Sequence, residues 1–85
     1  MSRIYHVIFV DDSNKESVLL ESMVYGNSRR SKIIVSGEDD ALDVIFSFLE
    51  RKNTPVLCYS FEKPYIKVYT NKGMKLFYLN PIDDD

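Results

Sequence analysis

The sequence predicts a two-layer α+β domain in the order β-α-β-α-β-β-β, with two amphipathic helices packed on one face of a mixed sheet that ends in a β-hairpin. Three observations carry that expectation. Residues 64–81, PYIKVYTNKGMKLFYLNP, alternate in polarity on both sides of Asn71-Lys72-Gly73 and are bracketed by Pro64 and Pro81, as in a hairpin. Residues 38–52 repeat apolar side chains at helical spacing. Residues 3–10, RIYHVIFV, are apolar on both faces, as suits a strand in the middle of a sheet.

The first strand sends Ile4, His6, Ile8 and Val10 to one face and Tyr5, Val7 and Phe9 to the other. A lone histidine there reads as a packed or half-exposed residue, not as a ligand or base. Asp11-Asp12-Ser13-Asn14 ends the strand. Ser13 and Glu16 then have capping-box spacing, Leu19, Leu20, Met23 and Val24 follow at helical intervals, and Gly26-Asn27 supplies a stop. The expectation is a helix over 14–25. A strand over 17–25, turned back on the first across DSNKES, is the competing reading, and the helix formers Glu16, Leu19, Leu20, Glu21 and Met23 favour the helix.

Residues 27–31, NSRRS, form a polar loop carrying Arg29 and Arg30, and residues 32–36, KIIVS, a short strand stopped by Gly37. The second helix is expected at 38–52. Ser36 and Asp39 have capping-box spacing, and Glu38, Asp39 and Asp40 sit at the positive end of its dipole. Ala41, Leu42, Val44, Ile45, Phe48 and Leu49 make its apolar stripe, and Arg51-Lys52 close its negative end before Asn53-Thr54-Pro55. Residues 55–61, PVLCYSF, make a third strand, which turns through Glu62-Lys63-Pro64 into the hairpin. A three-residue connection ending in Gly73 pairs Thr70 with Met74. Ile66, Val68, Thr70, Met74, Leu76 and Tyr78 then face the core, while Tyr65, Lys67, Tyr69, Lys75, Phe77 and Leu79 face outward. Residues 1–81 read as a single domain and 82–85 as an acidic tail expected to be disordered.

Eighty-five residues suffice for one modest core without staples. The apolar runs are too short to cross a bilayer and the first residues lack the regions of a secretory signal, so the expectation is a cytoplasmic protein. Cys58, the single cysteine, excludes an internal disulfide or a multi-cysteine zinc site and fits a reducing compartment. The net charge of −2 hides an asymmetry: residues 1–50 carry −4, residues 51–80 carry +5, and Asp83-Asp84-Asp85 carry −3. That layout suggests an anionic partner for the C-terminal half, although lysines also keep exposed strands soluble.

The outward hairpin face, Tyr65, Lys67, Tyr69, Lys75 and Phe77, interleaves aromatic rings with lysines. Rings on a sheet can stack unpaired bases while lysines neutralise phosphates, which makes single-stranded RNA a candidate ligand. Arg29, Arg30 and Lys63 would widen the footprint. Tyrosine is equally enriched at protein interfaces, so a protein target or a second copy of the chain is the parallel expectation. The acidic groups Asp11-Asp12 and Glu38-Asp39-Asp40 would converge, and could hold Mg²⁺, only if the first two strands ran parallel. Capping of two helix N-termini accounts for nearly all of them.

VIFVDDS, residues 7–13, looks like the first strand and acidic pair of a two-component receiver domain, GEDDALDVI, residues 37–45, is similar to the segment after that family's second strand, and Lys63-Pro64-Tyr65 echoes its late lysine-proline-aromatic motif. The resemblance implies metal-binding roles for Asp11 and Asp12 and makes Lys63 the counterpart of that family's conserved-type lysine. The third strand departs from it, ending Cys58-Tyr59-Ser60 with no phosphoacceptor aspartate, and the chain is too short for the family's remaining elements. Phosphotransfer is not expected. A nucleophile would require Cys58 beside His6, for which the sequence offers no motif. The reading is a non-enzymatic binding or inhibitor-type protein without cofactor, sequestering a larger partner, a profile shared by phage-type accessory proteins. A divergent receiver-like or Mg²⁺-binding signalling module and a purely structural interaction domain are the alternatives, and free sheet edges make a homodimer a further expectation.

Overall fold

In the computed structural model, which describes residues 3–82, the order is β1 (Tyr5–Val10), β2 (Glu16–Val18), α1 (Glu21–Tyr25), β3 (Ile34–Val35), α2 (Glu38–Arg51), β4 (Val56–Glu62), β5 (Tyr65–Thr70) and β6 (Gly73–Pro81). The strands form one sheet in the order β2-β1-β6-β5-β4, with β3 also pairing with β1. This is the α+β class that the sequence predicts, with two helices and a C-terminal hairpin. Every pairing is antiparallel. The acidic tail residues Asp83-Asp84-Asp85 lie outside the described residues.

The helix expected over 14–25 does not form at its start. The Asp11 carboxylate accepts from Ser13 N at 2.9 Å, Ser13 Oγ at 2.8 Å and Lys15 N at 2.9 Å, closing a tight turn with Asn14 at φ 64°. A short polar side chain that bonds the backbone just ahead of it competes with helix nucleation, and here it wins. Ser13 is thereby diverted from capping, and the chain folds back so that Ile8, Phe9 and Val10 pair with Val18, Ser17 and Glu16. The competing strand reading is correct for these few residues.

After β2 the chain leaves the sheet and returns. Leu19 N donates to Val7 O and Ile33 N to Leu19 O, each at 2.9 Å, while Leu20 bridges Lys32. β3 then resumes beside Tyr5 and His6 in the same direction as β2. The two are one edge strand interrupted by an excursion whose tip is the single turn α1. Gly26 ends α1 at φ 72°, and a β-carbon there would overlap the Arg51 guanidinium of α2. Because β2 and β3 both run antiparallel to β1, Asp11-Asp12 and Glu38-Asp39-Asp40 lie at opposite ends of the sheet and do not converge.

α2 forms where the apolar stripe predicts it, with Ala41, Leu42, Val44, Ile45, Phe48 and Leu49 buried. Its start differs in one detail: Asp40, not Asp39, accepts from the Ser36 backbone at 3.0 Å, and Gly37 occupies the cap position.

The hairpin is present with a different register. Thr70 pairs with Gly73, Tyr69 with Met74 and Ile66 with Phe77, leaving Asn71-Lys72 as a two-residue connection. Thr70 Oγ1 fixes it by donating to Gly73 O at 2.8 Å and accepting from Lys72 N at 3.0 Å. A slip of one residue reverses every side chain on β6. Phe77 and Leu79 therefore turn to the helices, while Met74, Leu76 and Tyr78 turn away. The gain is aromatic: Phe77 is fully buried, with its ring 5.1 Å from Phe9 and 6.2 Å from Phe48. The Tyr78 hydroxyl, which would need a partner inside the core, instead donates to the Glu16 carboxylate.

Hydrogen bonds from the Lys15 backbone and the Ser13 hydroxyl hold the Asp11 carboxyl below its ordinary 3.8. Its stabilising effect is complete above the unfolded-state value and fades as pH falls through the lower folded value. Asp11→Ala is expected to lower stability at neutral pH, and Asp11→Asn, which keeps an acceptor, to lower it less. Urea unfolding of the three proteins at pH 7 and at acid pH checks this, and a Mg²⁺-dependent rise in Tm abolished by Asp11→Asn would point to the metal role instead.

Candidate binding surface on the open sheet face

Both helices belong to one side of the sheet. Tyr5, Val7, Phe9, Ile66, Val68, Phe77 and Leu79 point to that side and pack with the helix stripe. The other side is uncovered. The registers place Val18, Ile8, Tyr78, Tyr65 and Glu62 in one row across five strands and Glu16, Val10, Leu76, Lys67 and Ser60 in the next. Met74, Tyr69 and Cys58 continue the surface toward the hairpin tip, and Ile34, His6 and Asn80 toward the other end. Tyr65, Tyr69, Met74 and Ile34 are all more than a third exposed, whereas Ile8, flanked by Val18 and Tyr78, is buried. The Tyr65 and Tyr78 rings meet edge to face at 6.1 Å.

The electrostatics of this face are nearly neutral. Lys67 Nζ lies 3.1 Å from Glu62 Oε1, and Ser60 Oγ donates to Glu62 Oε2 at 3.1 Å. The Lys67 bond holds the Glu62 carboxyl below its ordinary range, and Glu62 raises the Lys67 ammonium in turn. The bond to Glu16 raises the Tyr78 phenol. In the registered rows the face carries Glu16 and Glu62 against Lys67, with His6 as its remaining titratable nitrogen.

Of the eight residues the sequence nominates for binding, three share this face: Tyr65, Lys67 and Tyr69. Lys75 is opposite Val68 and Phe77 opposite Ile66, both on the helix side, so the one-residue register change removes them. Phe77 has no exposed surface with which to meet a ligand. Lys63 lines a groove with Gly37 and Glu38 beside the start of α2, again on the helix side. Arg29 and Arg30 are exposed in the loop between α1 and β3, beside the sheet edge farthest from β4. Tyr59 and Phe61 pair with Val68 and Ile66 and point to the helix side. The residues the sequence reading missed are Met74, Leu76 and Tyr78. Their signal was Tyr78, whose hydroxyl disfavours a core position.

Cys58 and His6 lie on strands separated by β5 and β6 and do not meet. Among the described residues, no three histidine, cysteine, aspartate or glutamate side chains gather as a metal site, and no helix is long and apolar enough to cross a membrane. Lys67 apart, the basic residues of the C-terminal half lie away from the open face. Arg51 and Lys52 end α2, with Lys52 Nζ 5.0 Å from the Phe48 ring centroid, and Lys72 caps the hairpin tip. Comparison with protein-family models, curated proteins and solved structures finds no significant match to this chain.

Proposed function

We propose that this chain is a small non-catalytic binding protein that sequesters a larger protein partner through the open face of its sheet. The observation that carries the reading is the asymmetry of the sheet: one side buried by helices, the other uncovered and bearing Tyr65, Tyr69, Met74, Leu76 and Tyr78. Large amphipathic side chains on a rigid strand lose little conformational freedom on binding, and tyrosine and methionine are enriched at interfaces.

A protein partner is favoured over single-stranded RNA by the charge of that face. RNA binding draws much of its strength from cations that displace phosphate counterions. Here the lysine within reach of the tyrosines is already engaged by Glu62, and Lys75 is on the far side. Affinity capture from the native cell, with and without ribonuclease, tests the reading. The expected result is a protein retained in both arms, together with no salt-dependent binding of a single-stranded oligouridylate. Loss of the captured species on ribonuclease treatment would favour the RNA reading.

A further inference from the structure

The two edges of the sheet are built differently. The edge at β2 and β3 is cut into pieces of three and two residues by the excursion that carries α1. Short, interrupted strands are a way of preventing edge-to-edge pairing. The edge at β4 is seven residues long, carries no charge from Val56 to Phe61, and has its prolines, Pro55 and Pro64, outside the strand. Its protective device is a bulge at Leu57, near one end, and from Cys58 to Glu62 the strand pairs regularly with β5.

Along this edge Leu57 is 69% exposed, Tyr59 45% and Phe61 41%. Tyr59 and Phe61 stack edge to face at 5.5 Å, and Tyr59 also lies 5.9 Å from Phe46 of α2. Beside them an open groove of about 570 Å³ runs between α2 and β4, lined by Phe46, Thr54, Leu57 and Tyr59. An ordered apolar ladder next to a row of unpaired backbone groups is the arrangement that strand addition uses.

We infer that β4 pairs with β4 of a second copy of this chain, antiparallel about a two-fold axis at Tyr59, joining two sheets into one. The register follows from symmetry. Residues directly opposite in an antiparallel pair point to the same face, so a two-fold axis must pass through a residue, and Tyr59 is the midpoint of Val56–Glu62. That register sets Leu57 against the second copy's Phe61, Tyr59 against Tyr59 and Cys58 against Ser60. Leu57, Tyr59 and Phe61 each meet an apolar or aromatic side chain, which a lysine or proline at any of these three positions would forbid, while Glu62 falls at the outer end opposite Val56. Complete burial of the three exposed residues would remove roughly 600 Å² over both copies, the size of a weak, reversible contact. The occupant is a second copy because the edge is self-complementary. The pairing goes beyond the proposed use of the open face and brings the two open faces side by side on one surface.

Sedimentation of the full chain across a concentration series tests the pairing, against a protomer mass of 9.9 kDa. The expected result is reversible doubling of that mass, with Tyr59→Lys weakening association by about 30-fold or more while circular dichroism stays unchanged. Ser60→Cys supplies a test that does not depend on a disruptive variant. It places a thiol opposite the second copy's Cys58 at a separation that a disulfide spans, so mild oxidation should give a covalent dimer. The unaltered chain should not, because in this register two Cys58 residues are offset by two positions, beyond the roughly 7 Å limit for bridging. A monomer at every concentration overturns the inference. So does a dimer that survives Tyr59→Lys, or an oxidised Ser60→Cys protein that remains monomeric.

Discussion

Phe77→Ala is expected to destabilise the domain by about 3–5 kcal/mol, the usual cost of removing a buried aromatic ring and leaving its cavity. Phe77 is fully buried between the rings of Phe9 and Phe48, at the point where β1, β6 and α2 meet. Backbone strands on both sides and a helix above leave little freedom for the surroundings to collapse into the space. A domain of this size has a total stability of roughly 5–10 kcal/mol, so the variant should lose half or more of it. The matching control is Tyr69→Ala on the opposite face, more than a third exposed, which should cost about 1 kcal/mol or less. Urea midpoints of the two variants decide the register directly. With Thr70 opposite Met74, Phe77 would face outward and its loss would cost little, while Tyr78→Ala would be the severe change.

That contrast marks where the sequence was and was not legible. Long periodic segments could be read: the α2 stripe from Ala41 to Leu49, the two-sided apolar strand at β1, and the existence of a hairpin around Asn71-Lys72-Gly73. Each depends on many side chains agreeing. Features decided by one side chain could not be read. Asp11 turns residues 11–15 into a tight loop, and a potential capping box becomes the far side of a hairpin. The Thr70 hydroxyl shortens the connection by one residue and turns β6 over. Because strand side chains alternate, that one-residue difference reassigned Lys75 and Phe77 to the helix side and Met74, Leu76 and Tyr78 to the open side. The candidate site was therefore legible on β5 and inverted on β6. A balance of burial could have caught the inversion, since the alternative buries a tyrosine hydroxyl and exposes a phenylalanine.

Tyr65→Ala combined with Tyr69→Ala is expected to weaken partner binding by at least 2 kcal/mol, about 30-fold, since tyrosines at the centre of an interface commonly carry that much. The two side chains lie four residues apart on the same face of one interior strand, so they present rings at a fixed spacing above the sheet. Removing them leaves the helix-side core untouched, and the fold should lose only about 1 kcal/mol per site, part of it from the Tyr65–Tyr78 contact. Lys75→Glu should leave binding unchanged, because its side chain lies on the helix side of the hairpin. Lys67→Gln separates the two chemistries. Against a protein partner it breaks one exposed ion pair with Glu62 and should change affinity severalfold at most. Against RNA it would remove the phosphate contact nearest the stacked rings, with a shallower salt dependence of binding as its signature. Measuring affinity for the captured partner across these variants at two salt concentrations assigns the open face to one class of ligand: aromatic loss without a salt effect means a protein surface, and loss at Lys67 with a changed salt slope means a nucleic acid.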